Sequence, residues 1–238
     1  MYNLSRNNFY DNQKSSTIYT PPGLSQFIFD LVQDKIELSG LVLDPCVGGG
    51  SLLAPFAAAG FPAIGIDITD QGWPDTHLRN YLDVKPGDYP QPSLVIANPP
   101  FNVEPKTKLM MKGEYGSRPL LPEVWFKKTL SLFGRDVPIV MFAPYGFRLN
   151  QTIKSRRWQA FLTGAFPPIS SILSLPKDIY QDVLFHSEVL FFNIPGLKPH
   201  DFFPRLKWGL CQPLFLLLIA PSDKSDPVHT TGRLISKG

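Results

Sequence analysis

Leu41-Val42-Leu43-Asp44-Pro45-Cys46-Val47-Gly48-Gly49-Gly50 is the stretch on which the reading of this chain turns. Three consecutive aliphatic residues suit a strand buried on both faces. They are closed by an acidic residue, a proline and three glycines, after which Leu52 to Ala59 reads as an alanine-rich helix. Strand, glycine turn and helix in that order open a nucleotide-binding α/β unit, where a turn without Cβ atoms lets backbone amides approach a ligand at the strand's carboxyl end. Here an acidic residue precedes the glycines, which departs from the dinucleotide fingerprint and suits a ligand carrying positive charge.

Working outward, Ala63-Ile64-Gly65-Ile66 reads as a second buried strand with Asp67 at its carboxyl end. An acidic residue about twenty positions after a glycine loop is placed to accept both hydroxyls of a ribose, and Ile66 and Ile68 could flank an adenine ring. The plainer alternative is a glycine-punctuated turn with Asp67 capping a helix. Upstream, Leu24, Phe27, Ile28, Leu31 and Val32 recur at helical spacing and predict a helix ending before Gly40. Downstream, Ser93 to Ala97 is a third strand, Val124 to Phe133 a helix, Pro138 to Phe142 a strand and Lys154 to Leu162 a helix. Ile172 to Leu175 and Glu188 to Ile194 are consecutive strands, which predicts an antiparallel edge. Lys198 to Gly238 carries no assignable pattern.

The third strand runs into Asn98-Pro99-Pro100-Phe101. Two prolines fix two φ values, remove two backbone donors and push the residue before each away from helix. The result is a rigid loop rich in acceptors, with the Asn98 side-chain oxygen and the Pro99 carbonyl both available. An aromatic amine is a poor nucleophile because its lone pair is conjugated into the ring. Two acceptors holding its hydrogens favour a pyramidal nitrogen with the lone pair released, a stabilisation that grows in the transition state. Phe101 offers a face for a base to stack on. The alternative is a proline turn that merely ends a strand.

Composition sets the outer limits. The chain has 238 residues, 43% hydrophobic and 18% charged, enough for one domain with embellishments. Its 25 prolines are scattered, which predicts many loops rather than one biased tract. A net charge of +3 would tolerate a polyanionic partner without announcing one. Cys46 and Cys211 stand far apart with no histidine at metal-ligand spacing, so no metal site or disulfide framework is expected, and a reducing cytosolic compartment is. Met1 to Lys14 is polar and lacks the apolar region of a secretory signal, and the apolar run Pro213 to Pro221 is too short to cross a bilayer. No membrane partner is expected.

Taken together, Tyr19-Thr20-Pro21-Pro22, Asp44-Pro45-Cys46-Val47-Gly48-Gly49-Gly50, Asp67 and Asn98-Pro99-Pro100-Phe101 resemble the S-adenosylmethionine-dependent, adenine-specific amino-methyltransferases whose cofactor motifs come first in the chain. The resemblance implies a Rossmann-like class I α/β fold: a seven-stranded, mostly parallel sheet with an antiparallel C-terminal hairpin. It implies S-adenosylmethionine as cofactor, with Thr20, Pro21 and Pro22 closing over its methionine part and Tyr19 among the residues that bind it. Asp44, Pro45, Cys46, Gly48 and Gly50 would hold it, Asp67 and Ile68 would meet its ribose and adenine, and Asn80 or Asp83 would lie beside the adenine ring. Asn98, Pro99, Pro100 and Phe101 would be catalytic, and Phe185-His186-Ser187-Glu188 resembles the late motif that faces the target base.

Three segments are expected: a lead-in over 1–18, the methyltransferase domain over 19–195 and an extension over 196–238. No second domain for target recognition fits, so recognition of DNA would fall to loops. Lys106, Lys108, Lys112 and Arg118 lie in one such loop. Arg156, Arg157 and Trp158 lie in another, where cations adjoin an aromatic. The same Asn-Pro-Pro loop serves enzymes that methylate adenine in RNA or a glutamine amide in protein, so those substrates stand as alternatives to DNA in a restriction-modification setting.

Overall fold

A computed structural model describes residues 19–101, 120–180 and 186–204 of the chain. Its centre is an eight-stranded sheet in the order β3-β2-β1-β4-β5-β7-β6-β8. The strands are β1 (Leu41–Asp44), β2 (Ala63–Asp67), β3 (Thr76–Leu78), β4 (Pro92–Ala97), β5 (Ile139–Pro144), β6 (Ile169–Ser174), β7 (Ser187–Phe192) and β8 (His200–Phe202). The helices are α1 (Pro22–Val32), α2 (Ala54–Ala58), α3 (Leu121–Phe133), α4 (Gly146–Leu149) and α5 (Arg156–Leu162). Only β7 runs against its neighbours, antiparallel to both β5 and β6.

The expected seven strands become eight. The antiparallel hairpin of β6 and β7 is present, but β8 adds to it in parallel alongside β6. β3 and β8 both escaped the sequence reading, and for one reason. Each is three residues long and each lies at an edge of the sheet, where an apolar run is not needed: Thr76-His77-Leu78 and His200-Asp201-Phe202 are largely exposed. β8 also lies within the segment set aside as an extension. α2 is shorter than the Leu52 to Ala59 stretch that predicted it, while α3 begins earlier, at Leu121, with Pro122 in its first turn and Gly134 at φ 84° closing it.

The central strands alternate between two cores, as a sheet covered on both faces requires. Val42, Leu94, Ile96, Val140, Phe142, Val189 and Phe191 pack with Leu24, Ile28 and Val32 of α1 and Phe56 of α2. Leu41, Leu43, Val95, Ile139, Met141, Leu190 and Phe192 face the other way, onto Phe126 of α3 and Phe147 of α4. Among the described residues no helix is long and apolar enough to cross a membrane.

Candidate active site

The chain moves outward from β1 through β2 to β3, then returns to place β4 and β5 on the other side of β1. The order therefore reverses between β1 and β4, which are hydrogen-bonded neighbours. At such a switch point the loops leaving adjacent strands diverge and open a crevice at the carboxyl ends. The two loops that meet there are the glycine loop after Asp44 and Asn98-Pro99-Pro100-Phe101 after Ala97. Sequence placed them 50 residues apart; topology makes them neighbours.

The glycine loop is held from several sides. The Cys46 backbone N–H donates to Asp44 Oδ1 at 2.9 Å, and the Gly48 N–H donates to Asp67 Oδ2 at 2.9 Å. Trp125 of α3 donates its indole N–H to the Pro45 carbonyl at 3.3 Å. Gly48 (φ 50°) and Gly50 (φ 78°) occupy the left-handed region, and a Cβ on Gly50 would lie 2.1 Å from the Trp73 ring. Gly65 of β2 is needed for a different reason: a Cβ there would lie 2.5 Å from Val47, so the loop packs directly on the strand.

Asp44 is 1% exposed. Burial pushes its carboxyl from 3.8 up to about 7, partly offset by the Cys46 N–H and reinforced by the neighbouring Asp67. Burial likewise pushes the Cys46 thiol upward. Asp67 stands at the open end of β2, its Oδ1 also accepting from the Thr69 N–H at 3.1 Å and hydroxyl at 3.2 Å. Beside it Ile68 is 75% exposed and Leu78, the register partner of Asp67 on β3, is 61% exposed. Ile66, expected to flank an adenine ring with Ile68, is instead fully buried in the core, because its side chain packs against one face of the sheet rather than at the strand end.

Thr20 crosses over the loop just before α1. Its carbonyl accepts from the Ser51 hydroxyl at 2.5 Å, and its own hydroxyl accepts from Asn98 Nδ2 at 3.0 Å. Tyr19 lies with its ring 3.4 Å from where a Gly49 Cβ would be and donates its hydroxyl to Gln71 Oε1 at 3.2 Å. Pro21, half-buried, leads into α1. On the far side, Tyr180 is buried, with its hydroxyl near both Ser187 Oγ (3.4 Å) and the Asn98 side chain; burial pushes that phenol up to about 12. Pro99 is buried, while Pro100 and Phe101 are half-buried.

Because β7 runs backwards, its first residues lie at the carboxyl end of β5, with Ser187 opposite Pro144 and Glu188 opposite Ala143. Glu188 is fully buried and takes three hydrogen bonds from Arg148, of which Nη2 to Oε2 is 2.8 Å. The Tyr145 and His186 rings meet at 5.6 Å. Within the late motif, Glu188 and Ser187 are thus buried at the carboxyl end of β5, and Phe185 lies outside the described residues.

Asn80 caps and Asp83 ends a 3₁₀ turn over Tyr81–Asp83, where Asn80 Oδ1 accepts from the Leu82 N–H at 3.1 Å. Both are exposed, and Asn80 is the nearer to the end of β3. Of the loop residues expected to meet nucleic acid, Arg156 is exposed and Trp158 half-buried. Arg157 is turned inward: it donates to Glu123 Oε2 at 2.8 Å and to the carbonyls of Gly146 and Phe147 at 2.8 and 3.0 Å. Contact with a phosphate would require it to surrender those partners. Lys106, Lys108, Lys112 and Arg118 lie outside the described residues.

No protein-family model matches the chain, and no curated protein matches it significantly. Solved structures do. The type IIG restriction endonuclease BpuSI superposes with a TM-score of 0.57 at 18% identity, covering 79% of this chain and 27% of the endonuclease. A protein from Listeria monocytogenes, described as a proposed class I S-adenosylmethionine-dependent methyltransferase, gives 0.56 at 15% identity over 82% of this chain and 68% of its own. The methyltransferase subunit of a type I restriction-modification system from Streptococcus thermophilus gives 0.53 at 16% identity, over 84% and 52%. The chain has the class I methyltransferase fold. It spans about half the length of that subunit, and about a quarter of the endonuclease.

Within this methyltransferase fold, several site residues had no signal in the sequence. Trp125, Trp73 and Gln71 act on the glycine loop from elements far along the chain or from an irregular segment. Ser51 reads as a helix-start residue, and its hold on Thr20 exists only in three dimensions. Arg148 could have been suspected only after Glu188 was known to be buried.

Proposed function

We propose that the chain is an S-adenosylmethionine-dependent methyltransferase that acts on the exocyclic amine of adenine in DNA, in the cytosol. One observation carries the reading: the Asn98 amide stands at the switch point beside the glycine loop, its nitrogen bound to Thr20 at 3.0 Å. That leaves its oxygen as the acceptor presented by a loop whose prolines cannot donate.

The residues present fit the cofactor. A sequestered carboxyl on Asp44 would be drawn into its charged form by the cofactor's cationic end. Asp67 offers lone pairs to ribose hydroxyls, and Ile68 and Leu78 offer an aliphatic plate to an adenine ring. Tyr19 and Thr20 lie across the same loop. When bound, the cofactor supplies an electrophilic methyl group on sulfur.

Asn98 Oδ1 and the Pro99 carbonyl would accept the two hydrogens of the target amine and draw its lone pair out of conjugation; as that pair bonds to the methyl carbon, the carbon–sulfur pair stays on sulfur and one amine proton passes to solvent. Phe101 stacks the base, and such stacking contributes about 1–3 kcal/mol. Glu188, paired with Arg148, is a support for this wall of the site. Reaching an adenine in a duplex means turning it out of the stack, at a cost of a few kcal/mol. The exposed Arg156 and the cations at 106, 108, 112 and 118 are the candidates for holding the backbone meanwhile.

The test is transfer of labelled methyl to duplex DNA, structured RNA and protein side by side, with the Asn98→Ala variant in parallel. Label in DNA that vanishes in the variant while cofactor affinity persists supports the reading. Label confined to RNA or protein overturns the substrate and keeps the loop chemistry. An Asn98→Ala protein as active as the parent overturns the chemistry itself.

A further inference from the structure

An asparagine amide is nearly symmetric in shape and opposite in function at its two ends: one oxygen accepts, one nitrogen donates twice. The torsion that exchanges them is broad and roughly two-fold. In solution both orientations would be populated. A loop that needs the oxygen facing a substrate amine must therefore hold the nitrogen elsewhere, and prolines 99 and 100 do nothing to decide this. Something outside the loop must.

The neighbours of Asn98 supply it. Nδ2 donates to the Thr20 hydroxyl at 3.0 Å, and the buried Tyr180 hydroxyl, approached by Ser187 at 3.4 Å, is the second polar group acting on the same amide. Thr20 is itself 6% exposed, so its hydroxyl is shielded from competing water. Its carbonyl is anchored by Ser51, the residue after the last glycine of the loop, at 2.5 Å, and Ser51 in turn meets Ser25 of α1 at 3.2 Å. One residue thus joins the glycine loop by its backbone to the catalytic amide by its side chain.

We propose that Thr20 is a positioning residue for Asn98: its hydroxyl captures the amide nitrogen so that the oxygen faces the target amine, and Ser51 ties this orientation to the state of the glycine loop. The inference rests on the methyl-transfer reading above, but it assigns Thr20 a partner other than the cofactor. It follows that a hydroxyl is required at position 20 for turnover, while cofactor contact there is secondary. It also follows that loosening the glycine loop at Ser51 reaches the reacting nitrogen without any change in the Asn-Pro-Pro-Phe residues.

The experiment compares Thr20→Val, which keeps the shape and removes the hydroxyl, with Thr20→Ser, which keeps the hydroxyl. Misorientation of a catalytic group by a fraction of its length costs on the order of 10²-fold in rate. Thr20→Val is expected to lower kcat by that order with cofactor Kd and substrate KM within about twofold, and Thr20→Ser to recover most of the loss. A second readout needs no turnover: the Asn98 side-chain NH2 signals in a ¹⁵N-labelled protein should exchange slowly in the parent and in Thr20→Ser, and quickly in Thr20→Val. Three results would overturn the proposal: a Thr20→Val protein with parental kcat, one whose cofactor affinity falls as far as its kcat, or unchanged NH2 exchange. If the parent transfers no methyl to any acceptor while the exchange difference stands, the functional reading fails and the positioning of the amide survives.

Discussion

Asp44 offers the sharpest pH prediction. Its carboxyl is buried, and burial raises it from 3.8 to about 7. The folded pKa lies above the unfolded one, so the fold binds the proton more tightly than the unfolded chain does. The Asp44 contribution to stability is therefore greatest below the unfolded pKa, falls as pH rises between 3.8 and about 7, and is flat beyond. The whole gap corresponds to about 4 kcal/mol, of which most is lost by neutral pH. A cationic ligand that prefers the ionised carboxylate reverses the sense for binding. Only about a tenth of the chains carry the charge near pH 6 and about three quarters near pH 7.5, so cofactor affinity should rise roughly eightfold across that interval. The window stops there because the ligand's own α-amino group begins to lose its proton at about 7.7–8.0. Titration calorimetry in two buffers of different ionisation enthalpy would read both the affinity and the proton released near pH 6. Asp44→Asn keeps the acceptor for the Cys46 N–H, and should bind more weakly, show no pH slope in this window and melt higher than the parent above neutrality. A parent affinity that is flat from pH 6 to 7.5, or a slope retained in Asp44→Asn, would mean that Asp44 does not carry the charge that meets the cofactor.

Three further outcomes follow from the geometry. Gly50→Ala forces a methyl into the Trp73 ring at a φ of 78°, so it should cost more than about 1 kcal/mol in denaturant melts and abolish cofactor binding. Arg148→Met strands the buried Glu188; such a loss costs about 3–5 kcal/mol at a dry site and somewhat less here, because Arg148 keeps 30% of its side chain in solvent. The check is a thermal melt, and Glu188→Gln combined with Arg148→Met should recover part of the loss. Arg157→Leu should lower stability and leave the salt dependence of DNA binding unaltered, whereas Arg156→Ala should reduce the slope of log affinity against log salt by about one phosphate contact.

β1, β2, β4, β5 and β7 are buried on both faces, and continuous apolar runs such as Leu41-Val42-Leu43 and Val189-Leu190-Phe191-Phe192 announce them. The edge strands have no such need, which is why Thr76-His77-Leu78 and His200-Asp201-Phe202 were silent. At the site, the glycine loop, Asp67 and Asn98 were legible because each carries a local chemical requirement: freedom at positive φ, a carboxylate at a strand end, an acceptor before two prolines. What holds them was not. Thr20 to Asn98, Trp125 to Pro45 and Arg148 to Glu188 span 78, 80 and 40 residues, and no local pattern encodes a partner that far away. Arg157 shows the converse: a cation beside an aromatic suggests a nucleic-acid contact, and the partners that hold it inward, Glu123 and two backbone carbonyls, carry no signal in the local sequence.

Methylation of adenine by the Asn98 loop is read most directly by mass spectrometry of nucleosides from unmethylated duplex DNA incubated with the protein and methyl-labelled S-adenosylmethionine. Labelled N6-methyl-2'-deoxyadenosine is expected from the parent protein and none from Asn98→Ala at equal cofactor occupancy. Label on cytosine, or label on adenine that persists in Asn98→Ala, would contradict it.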